Sequence, residues 1–440
     1  MLDVYGGRFG ACDGVSRRSF LRIGSLGLAG LAMPEVLRAR AAQLGSSSRN
    51  TAVIQVLLSG GPSHMETYDP KPDAPREFRG EFKAIPTNVS GASICELMPR
   101  HARAMDRMAI VRSLAHESSD HFVGTHWIQT GYQSSPSEQQ KNERPSVGAI
   151  VAKLRGPNGP GVPPYISMVG GIFGALFEGG AYLGPGYNPF NLNGDPTTNM
   201  RVRNLEPAGG LSLERLEDRR YLLSKLDRIN RRRDISGTMD GLDKFTGQAY
   251  DMVTGPSARK ALDLSGEDPR LRDRYGRNRL GQCCLLARRL VEAGVTFVTI
   301  SDGNWDHHSG IFQSCRQQVP PMDAAVTSLV EDLYERGLAD RVLVVVWGEF
   351  GRTPRINNGG RDHWPGSMSA LLAGGGLRMG QVVGATNRKG EQPTEKPLRP
   401  EDVIHTVYHV LGIDPRHDFP NDSGRPMPVL NQGRPIADLI

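Results

Sequence analysis

Seven of the eleven histidines in this 440-residue chain fall in four short polar clusters, each placed after an apolar run. The clusters are Ser63/His64/Glu66/Asp69, then His116 to His126, then Asp306/His307/His308, then Glu349/Arg352 with Asp362/His363. Carboxylates mixed with imidazoles suit zinc or manganese better than magnesium, with calcium as a third option. Two such cations a few ångströms apart would clamp a phosphoryl or sulfuryl oxygen and lower a nucleophile's pKa. Ser118 or Ser119, close to His121 and expected at a helix N-terminus, and Ser63 are the candidate nucleophiles; each is also an ordinary capping residue. Arg352 reads either as an ion-pair partner of Glu349 or as a clamp on an anionic substrate. His121 and His126 are five residues apart, not the one-face i, i+4 pair of zinc proteases, and H-E-x-x-H is absent, so a zincin is excluded.

The elements that must position these residues follow from hydrophobic pattern. Strands are expected over 52–58, 108–112, 165–168, 295–300, 342–347 and 369–373. Helices are expected over 211–233, 245–262, 277–293, 322–336 and 400–411, and another is expected to start after Ser118 or Ser119. Continuous apolar runs such as Val-Leu-Val-Val-Val-Trp at 342–347 are strands buried on both faces. Strands alternating with helices predict a mainly parallel central sheet with helices on both faces. Parallel strands point their C-termini one way, so the clusters that follow them meet at one edge, where open α/β sheets bind ligands. Residues 171–206, rich in Gly, Pro and Asn, read as a surface excursion, part of an insertion near 171–275.

The N-terminus carries Ser16-Arg17-Arg18-Ser19-Phe20-Leu21, a mildly apolar run over 23–33, and Ala39-Arg40-Ala41. This is the layout of a twin-arginine export signal over 1–41, followed by a linker over 42–50 and one domain over 51–440. Export to the periplasm or beyond is expected, with no stable membrane span once the signal is removed. Without residues 1–41 the formal charge falls from +6 to +3. That excess does not argue for nucleic acid, and no basic stripe is interleaved with aromatics. Cys95, Cys283, Cys284 and Cys315 lack C-x-x-C spacing, which excludes a zinc knuckle; Cys283-Cys284 reads as small apolar packing in a helix.

The chain resembles the DUF1501 proteins of the alkaline phosphatase/sulfatase superfamily. The matching stretches are Leu58-Ser59-Gly60-Gly61-Pro62-Ser63-His64, Asp69-Pro70-Lys71, Ala287-Arg288-Arg289-Leu290-Val291-Glu292-Ala293-Gly294-Val295, Trp305-Asp306-His307-His308, Gly348-Glu349-Phe350-Gly351-Arg352-Thr353-Pro354 and Gly360-Arg361-Asp362-His363-Trp364-Pro365. The resemblance implies an alkaline-phosphatase-like α/β sandwich and a site for one or two divalent cations. Residue by residue it implies Asp306 and His308 as ligands, His363 as the final metal histidine, and Glu349-Phe350 where the superfamily has Asp-His. In place of the superfamily's Asp directly after the first strand stands Ser59-Gly60-Gly61, so Asp69 or Glu66 must reach back. Phe350 and the absent Asp are departures that bear on the second cation. The C/S-x-P-x-R motif of formylglycine sulfatases does not occur.

The sequence therefore reads as an exported metal-dependent hydrolase of phosphate or sulfate esters on a small molecule or polymer. The expected metal ligands are Asp69, Asp306, His308, Glu349, Asp362 and His363, with His64, His121 and His126 lining the site. The alternative is a degenerate relative that binds a ligand or partner at the cell surface without turnover.

Overall fold

The central strand, β1 (Ala52–Leu58), is buried along its whole length, and its side chains alternate between two cores. Ala52, Ile54, Val56 and Leu58 enter one core, and Val53 and Leu57 the other. The computed structural model describes residues 50–134, 142–170, 176–198, 247 and 255–440. The twin-arginine segment, the expected helix over 211–233 and the first part of that over 245–262 lie outside them. Described residues of the latter form a helix at Pro256–Leu262.

The other sheet strands are β2 (Ala109–Leu114), β3 (Tyr165–Met168), β4 (Phe190–Asn191), β5 (Phe297–Asp302), β6 (Val342–Trp347), β7 (Met368–Gly374) and β8 (Gln381–Val383). They lie in the order β8-β2-β7-β6-β1-β5-β3-β4. β1 is parallel to β5 and β6, and only β7 runs against its neighbours β6 and β2. The result is a mixed α/β fold on a mainly parallel sheet, as the strand–helix alternation predicts. Because β7 is reversed, its beginning shares an edge with the ends of β1, β2, β5 and β6. His363, a few residues before β7, thus reaches the same edge as residues that follow the parallel strands.

Helices α1 (His121–Thr130), α2 (Val147–Leu154) and α5 (Pro400–Leu411) contribute to the core with Val53 and Leu57, and α3 (Arg279–Glu292) and α4 (Ile311–Glu335) to the other. Two differences from the expected elements have simple causes. Helix α4 starts eleven residues earlier than expected, passing through Pro320 and Pro321. A proline pair normally stops a helix by removing N–H donors. Here the carbonyls left unpaired belong to Arg316 and Gln317, which are exposed and reach solvent. Helix α1 is capped by Asp120, not Ser118 or Ser119; its carboxylate accepts from the Phe122 and Val123 amides at 2.9 and 3.1 Å. Cys95, Cys283, Cys284 and Cys315 are free thiols in the core. Among the described residues no helix is long and apolar enough to cross a membrane.

Candidate metal centre

The floor of the edge is set by the turn after β1. Gly60 has φ +113°, and a Cβ there would lie 2.6 Å from the Asp306 amide nitrogen. Gly61 has φ +83°, and a Cβ there would meet the Phe350 ring at 2.7 Å. Only glycine lets this backbone pass so close to both. A side chain at Gly60, the second residue after β1, is therefore excluded by the Trp305–Asp306 backbone.

Asp306 is the hub. Its Oδ1 lies 3.0 Å from His308 Nε2 and 3.2 Å from His363 Nε2, and its Oδ2 lies 3.3 Å from His121 Nε2. His308 Nε2 and His363 Nε2 are themselves 3.0 Å apart. Ligand atoms of His121, Asp306 and His363 all lie within 4.8 Å of one another. The edge of a tetrahedron around zinc, with bonds near 2.0–2.1 Å, is roughly 3.3 Å.

Each of the three imidazoles is held through its other nitrogen. His121 Nδ1 lies 2.7 Å from Glu349 Oε1, His308 Nδ1 lies 2.7 Å from Asp362 Oδ1, and His363 Nδ1 donates to the Ser119 carbonyl at 2.7 Å. A carbonyl can only accept, so the neutral His363 ring carries its proton on Nδ1 and a lone pair on Nε2. The carboxylate of Asp362 sets the same tautomer for His308. Two lone pairs then face each other across 3.0 Å, which is repulsive unless a positive charge lies between them. Fixing imidazoles from behind by carboxylates or a carbonyl is the outer-layer arrangement of histidine metal sites.

Burial disfavours protonation of His121, yet the hydrogen bonds to Asp306 and Glu349 outweigh it and raise its pKa to about 9. Burial would raise the pKa of Asp306, but His121 and the Arg352 guanidinium beside it hold it well below the usual carboxylate range. His308 lowers the pKa of Asp362, helped by Asn357. Below the cluster the site is dry: Glu349 is 2% exposed and Phe350 and Arg352 are 0% exposed. Above it the His308 and Asp306 side chains are 47% and 37% exposed, so one side is open.

The structure brings Asp306, His308, Glu349, Asp362 and His363 together, and it sorts them into layers. Asp306, His308 and His363 turn ligand atoms inward, and His121, expected only as a lining residue, joins them. Glu349 and Asp362 stand behind the imidazoles. Glu349 also accepts from the Gly60 amide at 2.8 and 3.1 Å, tying the end of β6 to the end of β1.

Arg352 turns its guanidinium to protein acceptors. Its Nε donates to the Gly61 carbonyl at 2.9 Å, Nη1 to Arg361 at 3.2 Å, and Nη2 to the Gly60 carbonyl and to Asp306 Oδ1 at 2.5 Å. It fixes the β1 turn and aims Asp306. Asp69 is not in the cluster: it pairs with Lys71 at 2.9 Å and Arg112 at 3.5 Å and accepts from Thr386. His64 Nε2 donates to the Gly390 carbonyl at 2.8 Å, and burial lowers its pKa. His126 faces the Tyr132 carbonyl and the Phe177 ring. The Ser63 hydroxyl donates to Glu66, which forms a buried pair with Arg361 at 2.7 Å. Ser118 Oγ accepts from the Asp120 amide at 3.3 Å, and Ser119 offers the cluster its carbonyl. Sequence reading passed over His116 as a site residue, though it lies in a polar cluster. It links the two sides of the edge, with Nε2 donating to the Glu349 carbonyl at 2.6 Å and Nδ1 accepting from the Ser118 amide at 3.2 Å.

The chain belongs to the DUF1501 family, whose model, described as a protein of unknown function, matches residues 50–440. No curated protein matches it in sequence. Solved structures similar to it include alkaline phosphatase from the Antarctic bacterium TAB5, at 12% identity and TM-score 0.39 over 83% of this chain and 99% of that one. The PsFucS1 sulfatase from Pseudoalteromonas sp. is similar at 12% identity and TM-score 0.31 over 86% of this chain and 71% of that one. The lipoteichoic acid synthase LtaP from Listeria monocytogenes is similar at 11% identity and TM-score 0.36, over 84% and 73%.

Proposed function

We propose that this protein is a metal-dependent hydrolase of phosphate or sulfate esters that holds one divalent cation, zinc or manganese, on Asp306, His308, His363 and His121. The carrying observation is the pair of imidazole nitrogens, 3.0 Å apart, whose protons are fixed on their far sides. A bound cation there supplies Lewis acidity toward an ester oxygen. The chain's own residues hold and orient. Glu349, Asp362 and the Ser119 carbonyl hold the three rings from behind, and Arg352 keeps Asp306 ionised and aimed. The Phe350 ring packs 4.9 Å from His121 and 4.7 Å from His363, an apolar wall in the place of the superfamily's second-metal histidine, which supports a single cation. The Ser63 hydroxyl is turned to Glu66 and the helix N-terminus beside Ser118 and Ser119 is capped by Asp120, so water is the nucleophile this reading requires. The Ser16–Leu21 motif supports action after export.

A second reading, cation-dependent binding of a ligand without turnover, is favoured by two commitments. Arg352 has turned its guanidinium to protein acceptors, and the first amides of α1 are taken by Asp120. One experiment separates the readings: elemental mass spectrometry of protein purified without chelator, for wild type, Asp306→Ala and His363→Ala, followed by a panel of nitrophenyl phosphate mono- and diesters and sulfate esters. One cation per chain, lost in both variants, together with metal-dependent turnover supports the hydrolase. Stoichiometric metal without turnover supports the binding protein. No metal in the wild type refutes both.

A further inference from the structure

A row of polar side chains crosses the buried middle of the sheet on the side that α1 covers. Ser167 on β3 registers with Thr299 on β5, and Thr299 with Gln55 on β1. The next residues on that face toward the strand starts are Tyr165, Phe297 and Val53. Gln55 is met by Gln129 of α1 at 3.2 Å. At the other end of the row Glu178 lies against Ser167 and Tyr165.

Glu178 is 3% exposed and Ser167 is 0% exposed. Among the described residues, Glu178 Oε1 and Ser167 Oγ have no hydrogen-bond partner. Tyr165 Oη and Thr299 Oγ1 are 3.3 Å apart beside them. Ser146 Oγ donates to the Glu178 carbonyl at 2.8 Å, which pins that residue's backbone over the row. Burial raises the Glu178 pKa to about 8, and the one group opposing it is the neutral Ser167 hydroxyl. A buried carboxylate is costly unless paired.

We propose that Glu178, Ser167, Tyr165 and Thr299 form a site for a monovalent metal cation, sodium or potassium, distinct from the cluster around Asp306. The donors are all oxygen, which disfavours zinc and its neighbours. A single carboxylate among neutral hydroxyls matches one positive charge, whereas calcium takes six to eight oxygens and usually several carboxylates. No residue is shared with the Asp306 cluster, so this inference stands or falls independently of the proposed function.

The test is thermal unfolding of the full chain in sodium, potassium and tetramethylammonium chlorides at equal ionic strength, with calcium chloride as a further arm. The expected result is a saturable rise of about 2–4 °C in sodium or potassium over tetramethylammonium, absent in Glu178→Gln. Identical melting in all the monovalent salts overturns the proposal, as does an unchanged cation preference in folded Glu178→Gln. Stabilisation by calcium at lower concentration than by either monovalent ion also overturns it. Should Glu178→Gln not fold, Ser167→Ala carries the test. Its half-saturating salt concentration is expected to rise roughly tenfold with loss of one oxygen ligand, and an unchanged value refutes the site.

Discussion

Replacing Glu349 with glutamine exchanges one carboxylate oxygen for an amide nitrogen with almost no change of shape. Oε1 of Glu349 receives both His121 Nδ1 at 2.7 Å and the Gly60 amide at 2.8 Å, while Oε2 takes a second bond from Gly60 at 3.1 Å. A glutamine oxygen in the Oε1 position leaves its amide group 3.1 Å from the Gly60 N–H, donor against donor. The flipped amide instead turns a donor toward His121 Nδ1 and frees the ring to invert. In a residue 2% exposed neither mismatch is relieved by bulk water, and either is expected to cost about 1–3 kcal/mol. Loss of an outer-layer carboxylate behind a ligating histidine should weaken cation binding about 10–100-fold, or about 1.4–2.7 kcal/mol. Competition of the protein with a chromophoric chelator for zinc, in wild type, Glu349→Gln and Asp306→Ala, reads this directly. Glu349→Gln is expected between the wild type and Asp306→Ala. A Glu349→Gln protein that bound zinc as tightly as wild type would refute the assignment of Glu349 as the group that orients His121.

Arg361 and Glu66 form an ion pair with exposures of 0% and 1%, so Arg361→Met strands a buried carboxylate; a loss of about 3–5 kcal/mol is expected in urea denaturation, with part of it regained in Glu66→Gln/Arg361→Met. Gly60→Ala places a Cβ 2.6 Å from the Asp306 nitrogen at φ +113°; it should cost about 1–3 kcal/mol and lower zinc affinity in the same chelator competition. The raised pKa of Glu178, about 8 in the folded chain against the usual 4.5, fixes a sign. Between these values the folded chain keeps a proton the unfolded chain has released, so the group's contribution to stability is full below about pH 4.5 and is lost as pH rises toward about 8. Denaturation midpoints in tetramethylammonium chloride should therefore fall less steeply across that window in Glu178→Gln than in wild type, and an identical slope would contradict the burial argument.

The strands that carry the site were readable because each is a run of apolar residues ended by polar ones. Residues 52–58, 165–168 and 342–347 fold as strands with the expected limits. Those runs also told which clusters share an edge. What the sequence did not separate is which of two ligating types faces inward. Glu349 and His121 both suit a metal, and only the distances to the Gly60 amide and to Asp306 place the histidine in front and the acid behind. Asp69 looked free to reach back, yet Lys71, two residues on, and Arg112 from β2 pair with it. Arg352 resembled a substrate clamp because its chemistry fits one; its acceptors are the carbonyls of Gly60, Gly61 and Arg361, and backbone carbonyls leave no trace in side-chain pattern. The cap of α1 was expected at Ser118 or Ser119; Asp120, an equally good capping type directly after them, takes that place because the register of the first turn sets its carboxylate over the Phe122 and Val123 amides.

The reversed direction of β7 also dictates when the cation site can come into being during synthesis. His363 is delivered on the approach to that strand, and β7 lies between β6 and β2, where residues 368–374 must pair before the loop ahead of it is anchored. A nascent chain released from the ribosome as far as His308 already owns three of the four groups around the centre, His121, Asp306 and His308, but it has no wall on which to hold the fourth. On the proposed reading, metal capture is deferred to the last quarter of translation, and a chain cut short before β7 should fail to bind zinc however much of the remaining sheet it has built.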